Sequence, residues 1–130
     1  MRMLNETEEN DVSVSFSDQQ SINAFSRYNN RVTDYEEDLK RKREEKEAVE
    51  EVMMELELVD EEEEVLYKIA DSFVHLPQPK VISLLEKETT KLDEEIEALK
   101  ARVDECEEEM KKLKVVLYGK FGSNINLERD

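Results

Sequence analysis

The chain has 130 residues, 42% of them charged, and a formal net charge of −16, with two glycines, two prolines and no tryptophan. So acidic a balance disfavours nucleic acid and anionic membrane surfaces as partners, because phosphates need clustered lysines and arginines. So few turn formers point away from an ordinary globular domain and towards long helices.

No apolar run approaches the ~20 residues needed to cross a bilayer. The first ten residues are acidic and lack the apolar core of a secretory leader. One cysteine, Cys106, cannot close an internal disulfide. A cytoplasmic location is expected.

Residues 1–11 read as a flexible acidic tail. Val12, Val14 and Phe16 then alternate with polar neighbours, a short extended pattern. Ser17 followed three residues later by Gln20 is a capping-box pattern, so a first helix is expected over 17–58. At ~1.5 Å per residue it would be ~60 Å long. Along it Phe25, Tyr28, Val32, Tyr35, Leu39, Val49, Met53 and Leu56 follow alternating steps of three and four, with Lys42 and Lys46 interrupting. Such spacing keeps one apolar seam facing a partner helix, and the two lysines mark a weaker stretch of it.

Residues 60–64 are an uninterrupted acidic run that should end the helix, whose C-terminal dipole disfavours anions. The run lacks the glycine turn and spaced ligands of a calcium loop. Val65 to Ile69 and Phe73 to Leu76 are rich in β-branched and aromatic residues around Ala70-Asp71-Ser72, which reads as a β-hairpin over 65–76. Pro77 and Pro79 close it and open a second helix, expected over 79–121. Its seam is Ile82, Leu85, Leu92, Ile96, Leu99, Val103, Cys106, Met110, Leu113 and Leu117, with Thr89 the one polar member. Gly122 is the expected stop. Residues 122–130 read as a flexible polar tail with Ile125 and Leu127 exposed.

Two seams of similar length with a reversal between them are best paired with each other. The expected fold is mainly α: a long antiparallel two-helix coiled coil with one β-hairpin at the turn. A two-stranded ribbon alone is marginal in water, and its edges invite pairing. Val65, Tyr67, Ile69, Phe73 and Val74 are therefore the expected subunit-assembly residues, needing strands from other chains.

At the other end, an antiparallel pairing gathers Val12, Val14, Phe16 and Ile22 with Tyr118, Phe121, Ile125 and Leu127. Two readings stay open: an exposed apolar binding patch, or residues that zip up the coil end. His75 and Cys106 are the sole histidine and cysteine, the first a strand residue and the second a small hydrophobe in the seam. No catalytic constellation is present, and neither an enzyme nor a bound metal or cofactor is expected.

The heptad–hairpin–heptad plan resembles the prefoldin family. So do residues 12–25 around Ser17-Asp18-Gln19-Gln20, residues 67–74, and residues 117–128 opening on Leu117-Tyr118-Gly119-Lys120-Phe121-Gly122. One hairpin rather than two resembles the β-type subunits of eukaryotes. The resemblance implies a hetero-hexamer with two α-type and three further β-type partners. It implies that the coil ends hold unfolded polypeptides, actin and tubulin, for the cytosolic chaperonin. The eight end residues named above would then be client-binding. Two departures stand out: Ala70 where the family has glycine, and Gly119 where it tends to have alanine. The competing functions are a coiled-coil scaffold that binds no client and a helical arm regulating an enzyme. A strand hairpin counts against a plain spacer, which needs only a tight loop.

Overall fold

The computed structural model describes residues 15–127 and the backbone of residues 2–3. Val12, Val14, residues 128–130 and all but that short piece of the expected acidic tail lie outside the described residues. In chain order the elements are β1 (Arg2–Met3), α1 (Phe16–Leu56), β2 (Glu64–Ile69), β3 (Ser72–Pro77), α2 (Gln78–Phe121), a 3-10 turn (Gly122–Asn124) and β4 (Ile125–Asn126). They group into two compact units, each using part of both helices. The terminal unit takes Met1–Glu37 with Leu99–Asp130, and the hairpin unit takes Asp38–Ala98.

In the terminal unit the cap of α1 lies two residues earlier than expected, on Ser15. The Asp18 amide donates to Ser15 Oγ at 3.1 Å, and the Ser15 amide donates back to the Asp18 carboxylate at 3.2 Å. This is a capping box on Ser15 and Asp18, not on Ser17 and Gln20. Aspartate at the third helical position answers the orphan amides and faces the positive end of the dipole. The Lys120 ammonium also donates to Asp18. These bonds hold the Asp18 carboxyl below its ordinary range, Lys120 most of all.

The core of this unit is the seam. Ile22, Phe25 and Val32 from α1 are buried with Cys106, Met110, Leu117 and Phe121 from α2. Tyr28, Tyr35, Val103 and Leu113 pack against them. Arg102 lies 5.9 Å from the Tyr35 ring centroid. Helix α2 stops where glycine was expected to stop it, Gly122 taking φ +55°. The chain beyond is not a loose polar tail. Ile125 and Leu127 are buried in the same cluster, and Ile125 and Asn126 pair antiparallel with Met3 and Arg2. Leaving two aliphatic side chains in water beside an open seam would forfeit their burial.

In the hairpin unit Leu39, Leu56, Val81, Leu85, Leu92 and Ile96 are buried. Lys42 and Lys46 occupy seam positions, yet they are bonded across it. The Lys42 ammonium sits 2.8 Å from Glu95, and the Lys46 ammonium 2.6 Å from Asp93. Their methylene stems cover the seam while the charged ends reach its margin. Thr89 donates its hydroxyl to the Leu85 carbonyl at 3.0 Å.

Helix α1 ends at Leu56, before the acidic run. The amides of Leu58 and Val59 tighten onto the carbonyls of Glu55 and Leu56. Asp60 then caps a turn, its carboxylate accepting from the Glu62 amide at 3.0 Å. The anchor is Gln78, 5% exposed, which donates from Nε2 to the Leu56 carbonyl at 2.9 Å and from its amide to the Glu63 carbonyl at 3.1 Å. The first bond gives the Leu56 carbonyl a second donor beside the Val59 amide, and the two bonds together fix where α2 begins. Strands β2 and β3 pair antiparallel from Glu64–Pro77 to Ile69–Ser72. The loop is two residues, not three, and its first residue, Ala70, has φ +52°.

Candidate functional site

Alternation along the hairpin sorts its side chains onto two faces. Val65, Tyr67 and Leu76 point inward and pack against Leu56, Val81 and Leu85. The helix ends thus supply the hairpin a platform wide enough for a single face. Val74, paired with Tyr67, is half-buried.

The outer face has no such cover among the described residues: Leu66 and Phe73 on it are 55% and 61% exposed. Ile69, on the inner face two places beyond Tyr67, is also 51% exposed at the turn end of the ribbon. Lys68 sits across from Phe73 in the register with its ammonium 5.9 Å from the ring centroid. Exposed His75 stands opposite Leu66. Of the five expected assembly residues, Ile69 and Phe73 are open to a partner, whereas Val65 and Tyr67 are committed to the chain's own core. Leu66 was missed, although its place between Val65 and Tyr67 assigns it to the opposite face. Leu58, at 90% exposed, and Met54, at 67%, lie off the seam just before the hairpin and were missed for the same reason.

In the terminal unit the eight expected client residues part company. Phe16 is 80% exposed. It lines a shallow open groove with Gln20, Ala24 and Leu113. Ile22, Phe121, Ile125 and Leu127 are buried, and Tyr118 is half-buried with its hydroxyl accepting from the Leu127 amide at 3.0 Å. The expected exposure of Ile125 and Leu127 is thus corrected. Val12 and Val14 fall outside the described residues. Two apolar residues absent from the expectation are open instead, Val115 at 70% and Val116 at 61% exposed. They stand between the seam positions Leu113 and Leu117, and heptad spacing alone could have identified them as off-seam.

No helix among the described residues is long and apolar enough to cross a membrane. Cys106 is buried in the seam. What the arrangement offers is apolar surface for association, on the hairpin and, to a smaller extent, in the terminal unit.

Comparison with known proteins agrees with this architecture. A family model described as Prefoldin subunit matches residues 19–124. Prefoldin subunit 4 of Saccharomyces cerevisiae is 43% identical over 129 residues, covering 99% of this chain and all of that protein. Prefoldin subunit 4 of Homo sapiens is 40% identical over 121 residues, covering 92% of this chain and 90% of the human one. The crystal structure of the prefoldin beta subunit from Thermococcus strain KS-1 superposes with a TM-score of 0.78 at 14% identity, over 85% of this chain and 97% of that one. That last likeness concerns the fold. With the family match over most of its length and relatives this similar, the chain belongs to the prefoldin subunit family, and with it to the chaperones of protein folding.

Proposed function

We propose that this chain is a β-type subunit of a hetero-hexameric co-chaperone, assembled with two α-type and three further β-type prefoldin subunits. It would hold unfolded polypeptides, actin and tubulin among them, and deliver them to the cytosolic chaperonin in the cytoplasm. The observation that carries this reading is the outer hairpin face. Leu66 and Phe73 leave an apolar surface on it, Ile69 is exposed beside the turn, and the ribbon has two open edges; strands from neighbouring subunits would complete these.

Client holding draws on the terminal unit. We assign contacts to Val12, Val14, Phe16, Ile22, Tyr118, Phe121, Ile125 and Leu127, with Val115 and Val116 added. Phe16, Val115 and Val116 supply surface that is open as the chain stands, and the buried members supply the packing beneath it. Each apolar side chain buried by a client contributes at most ~1.5–3 kcal/mol, so one subunit holds weakly. Several acting on one client raise the apparent affinity through effective concentration. The excess of carboxylates keeps such an assembly from coalescing.

The burial of Ile22, Phe121, Ile125 and Leu127 is the observation favouring the other reading, a coiled-coil scaffold that binds no client. The two separate in one experiment on the co-expressed complex. Changing Phe16, Val115 and Val116 together to Ser should leave the hexamer intact by native mass spectrometry while weakening its suppression of actin aggregation. The loss should be partial, because the other subunits remain. A variant complex that holds actin as well as the parent does would leave the scaffold reading standing.

A further inference from the structure

The chain beyond α2 is arranged like a ligand of the helices it follows. Gly122 reverses the backbone with φ +55°. After it Ile125 and Leu127 turn inward at 3% and 1% exposed, while Asn126 between them is exposed. The two join one buried cluster with Ile22, Phe25, Leu117 and Phe121. Among the described residues, two residue pairs join β4 to β1, and a hydrogen bond runs from the Leu127 amide to the Tyr118 hydroxyl. An extended segment, paired along its backbone and seating alternate side chains in apolar sites, is how a peptide is held when it adds to a strand. Without residues 122–127 the helices would present a contiguous apolar surface, a feature that marks interaction sites.

We infer that residues 122–127 are a displaceable strap over an apolar surface built on Ile22, Phe25, Leu117 and Phe121, and that the external partner of this surface is an extended polypeptide carrying aliphatic side chains two residues apart. This rests on the client-holding reading above and changes the part of two of its residues: Ile125 and Leu127 are the strap that a client displaces, and the client takes their seat on Ile22, Phe25, Leu117 and Phe121. The strap lowers the apparent affinity by the fraction of molecules in which it is open. Segments with a matching aliphatic pair displace it, and polar chains leave it closed. Short segments past a helix end open more readily than the helices they cover, since local stability follows the density of buried contacts.

The probe is a fluorescein-labelled peptide with the sequence of residues 122–130, tested by anisotropy against the assembled complex. A complex carrying Ile125→Ser with Leu127→Ser in this chain should bind it at least ~10-fold more tightly than the parent, because the competing strap is gone. The same peptide with Ser at both aliphatic positions should bind neither. Equal binding by parent and variant overturns the strap. Because that double variant could loosen the whole unit, a second measurement uses the unaltered complex. By hydrogen exchange the Leu127 amide should open at least ~10-fold faster than the Leu117 amide, and faster again when unfolded actin is added. Exchange of the two at one common rate makes the segment ordinary core and overturns the inference. If the released complex gains the peptide but suppresses actin aggregation no differently from the parent, the strap stands and the client-holding reading fails.

Discussion

In the terminal unit Phe25, Val32, Leu117 and Leu127 are all 1% exposed or less, whereas in the hairpin unit Leu58, Leu66, Ile69 and Phe73 are 51–90% exposed. Both units are made from the same two helices with the same three-four spacing. They differ in what closes them. The terminal unit is closed by the chain itself, with Ile125 and Leu127 folded back onto the seam. The hairpin unit is left unfinished, since a ribbon six residues long covers the helix ends with one face and has nothing to cover the other. Exposed apolar surface of this kind signifies a missing partner, while a sealed core signifies stability.

The sharpest way to break that contrast is to put a charge on each side of it. Phe73→Asp should cost ~3–5 kcal/mol in assembly, by burying an uncompensated carboxylate against a neighbouring subunit. The variant chain should disappear from the co-purified complex. Phe16→Asp, at a still more exposed apolar residue of the terminal unit, should leave the stoichiometry unchanged. If both variants co-purify fully, the hairpin's outer face is not an assembly surface.

Next in size is a pair of neighbours in the terminal unit. Leu117 is fully buried and Val116 is 61% exposed. Leu117→Ala should destabilise the unit by ~2–5 kcal/mol, a lost transfer term plus a cavity, and Val116→Ala by less than ~0.5 kcal/mol. Hydrogen exchange of the α2 amides in the assembled complex reads both. Similar effects would mean that the C-terminal closure is not packed as described.

In the hairpin unit the corresponding anchor is polar. Gln78→Ala removes one of the two donors to the Leu56 carbonyl and leaves the Val59 amide, and losing one such hydrogen bond costs ~0.5–1.5 kcal/mol. Faster exchange should be confined to the end of α1 and the hairpin. A uniform change along both helices would show that Gln78 does not act locally.

The lysine pairs contribute less, since their side chains are a third to a half exposed and exposed ion pairs are weak. Their sign is fixed by their shifts. Lys42, hydrogen-bonded to it, lowers the Glu95 carboxyl below its ordinary value. Its contribution is therefore present above the usual carboxylate range and lost as pH falls through the depressed value. Hydrogen bonds to Glu95 and Asp93 raise the Lys42 and Lys46 ammoniums. Their contribution is present below the usual lysine range and lost as pH rises through the raised values. Acid also relieves the repulsion of a chain with 35 acidic and 19 basic residues, so the comparison must be made against Glu95→Gln. The difference in hairpin-unit protection between parent and variant should be flat around neutrality and vanish in acid. A difference that persists in acid would rule out the ion pair as its source.

The heptads fixed the helices, their pairing and nearly all of the buried seam, because an apolar face must find a partner whatever the surrounding detail. Period-two alternation placed the hairpin, and could have separated Leu66 from Val65 and Tyr67. The capping box was misplaced because Ser15 and Ser17 both stand three residues before a polar side chain. Aspartate at position 18 has the shorter reach and the better charge for the helix start. Gln78 was illegible, since a glutamine between two prolines carries no sign that a carbonyl 22 residues earlier accepts from it. The burial of Ile125 and Leu127 was misread for the opposite reason. Their polar neighbours suggested a tail, and only the tertiary seat at Phe25 and Leu117 makes them core.

The smallest effects test the two places where this chain exchanges glycine and alanine relative to its resemblance. Gly119 lies inside α2, and a Cβ there would meet nothing within 4 Å. Gly119→Ala should stabilise the helix end by ~0.5–1 kcal/mol through restricted unfolded-state freedom and helix propensity. Ala70 is the reverse case. It alone of the two turn residues has positive φ, the arrangement that favours glycine at the first turn position, and alanine there costs ~1 kcal/mol or more. Replacing it with glycine relieves that strain but restores ~0.4–1 kcal/mol of unfolded-chain entropy. The two contributions oppose each other at Ala70 and act together at Gly119. Gly119→Ala should therefore slow exchange in the last turns of α2 measurably, while Ala70→Gly should leave the β2–β3 amides almost unchanged. A larger gain at Ala70 than at Gly119 would show that the turn is more strained than its φ implies.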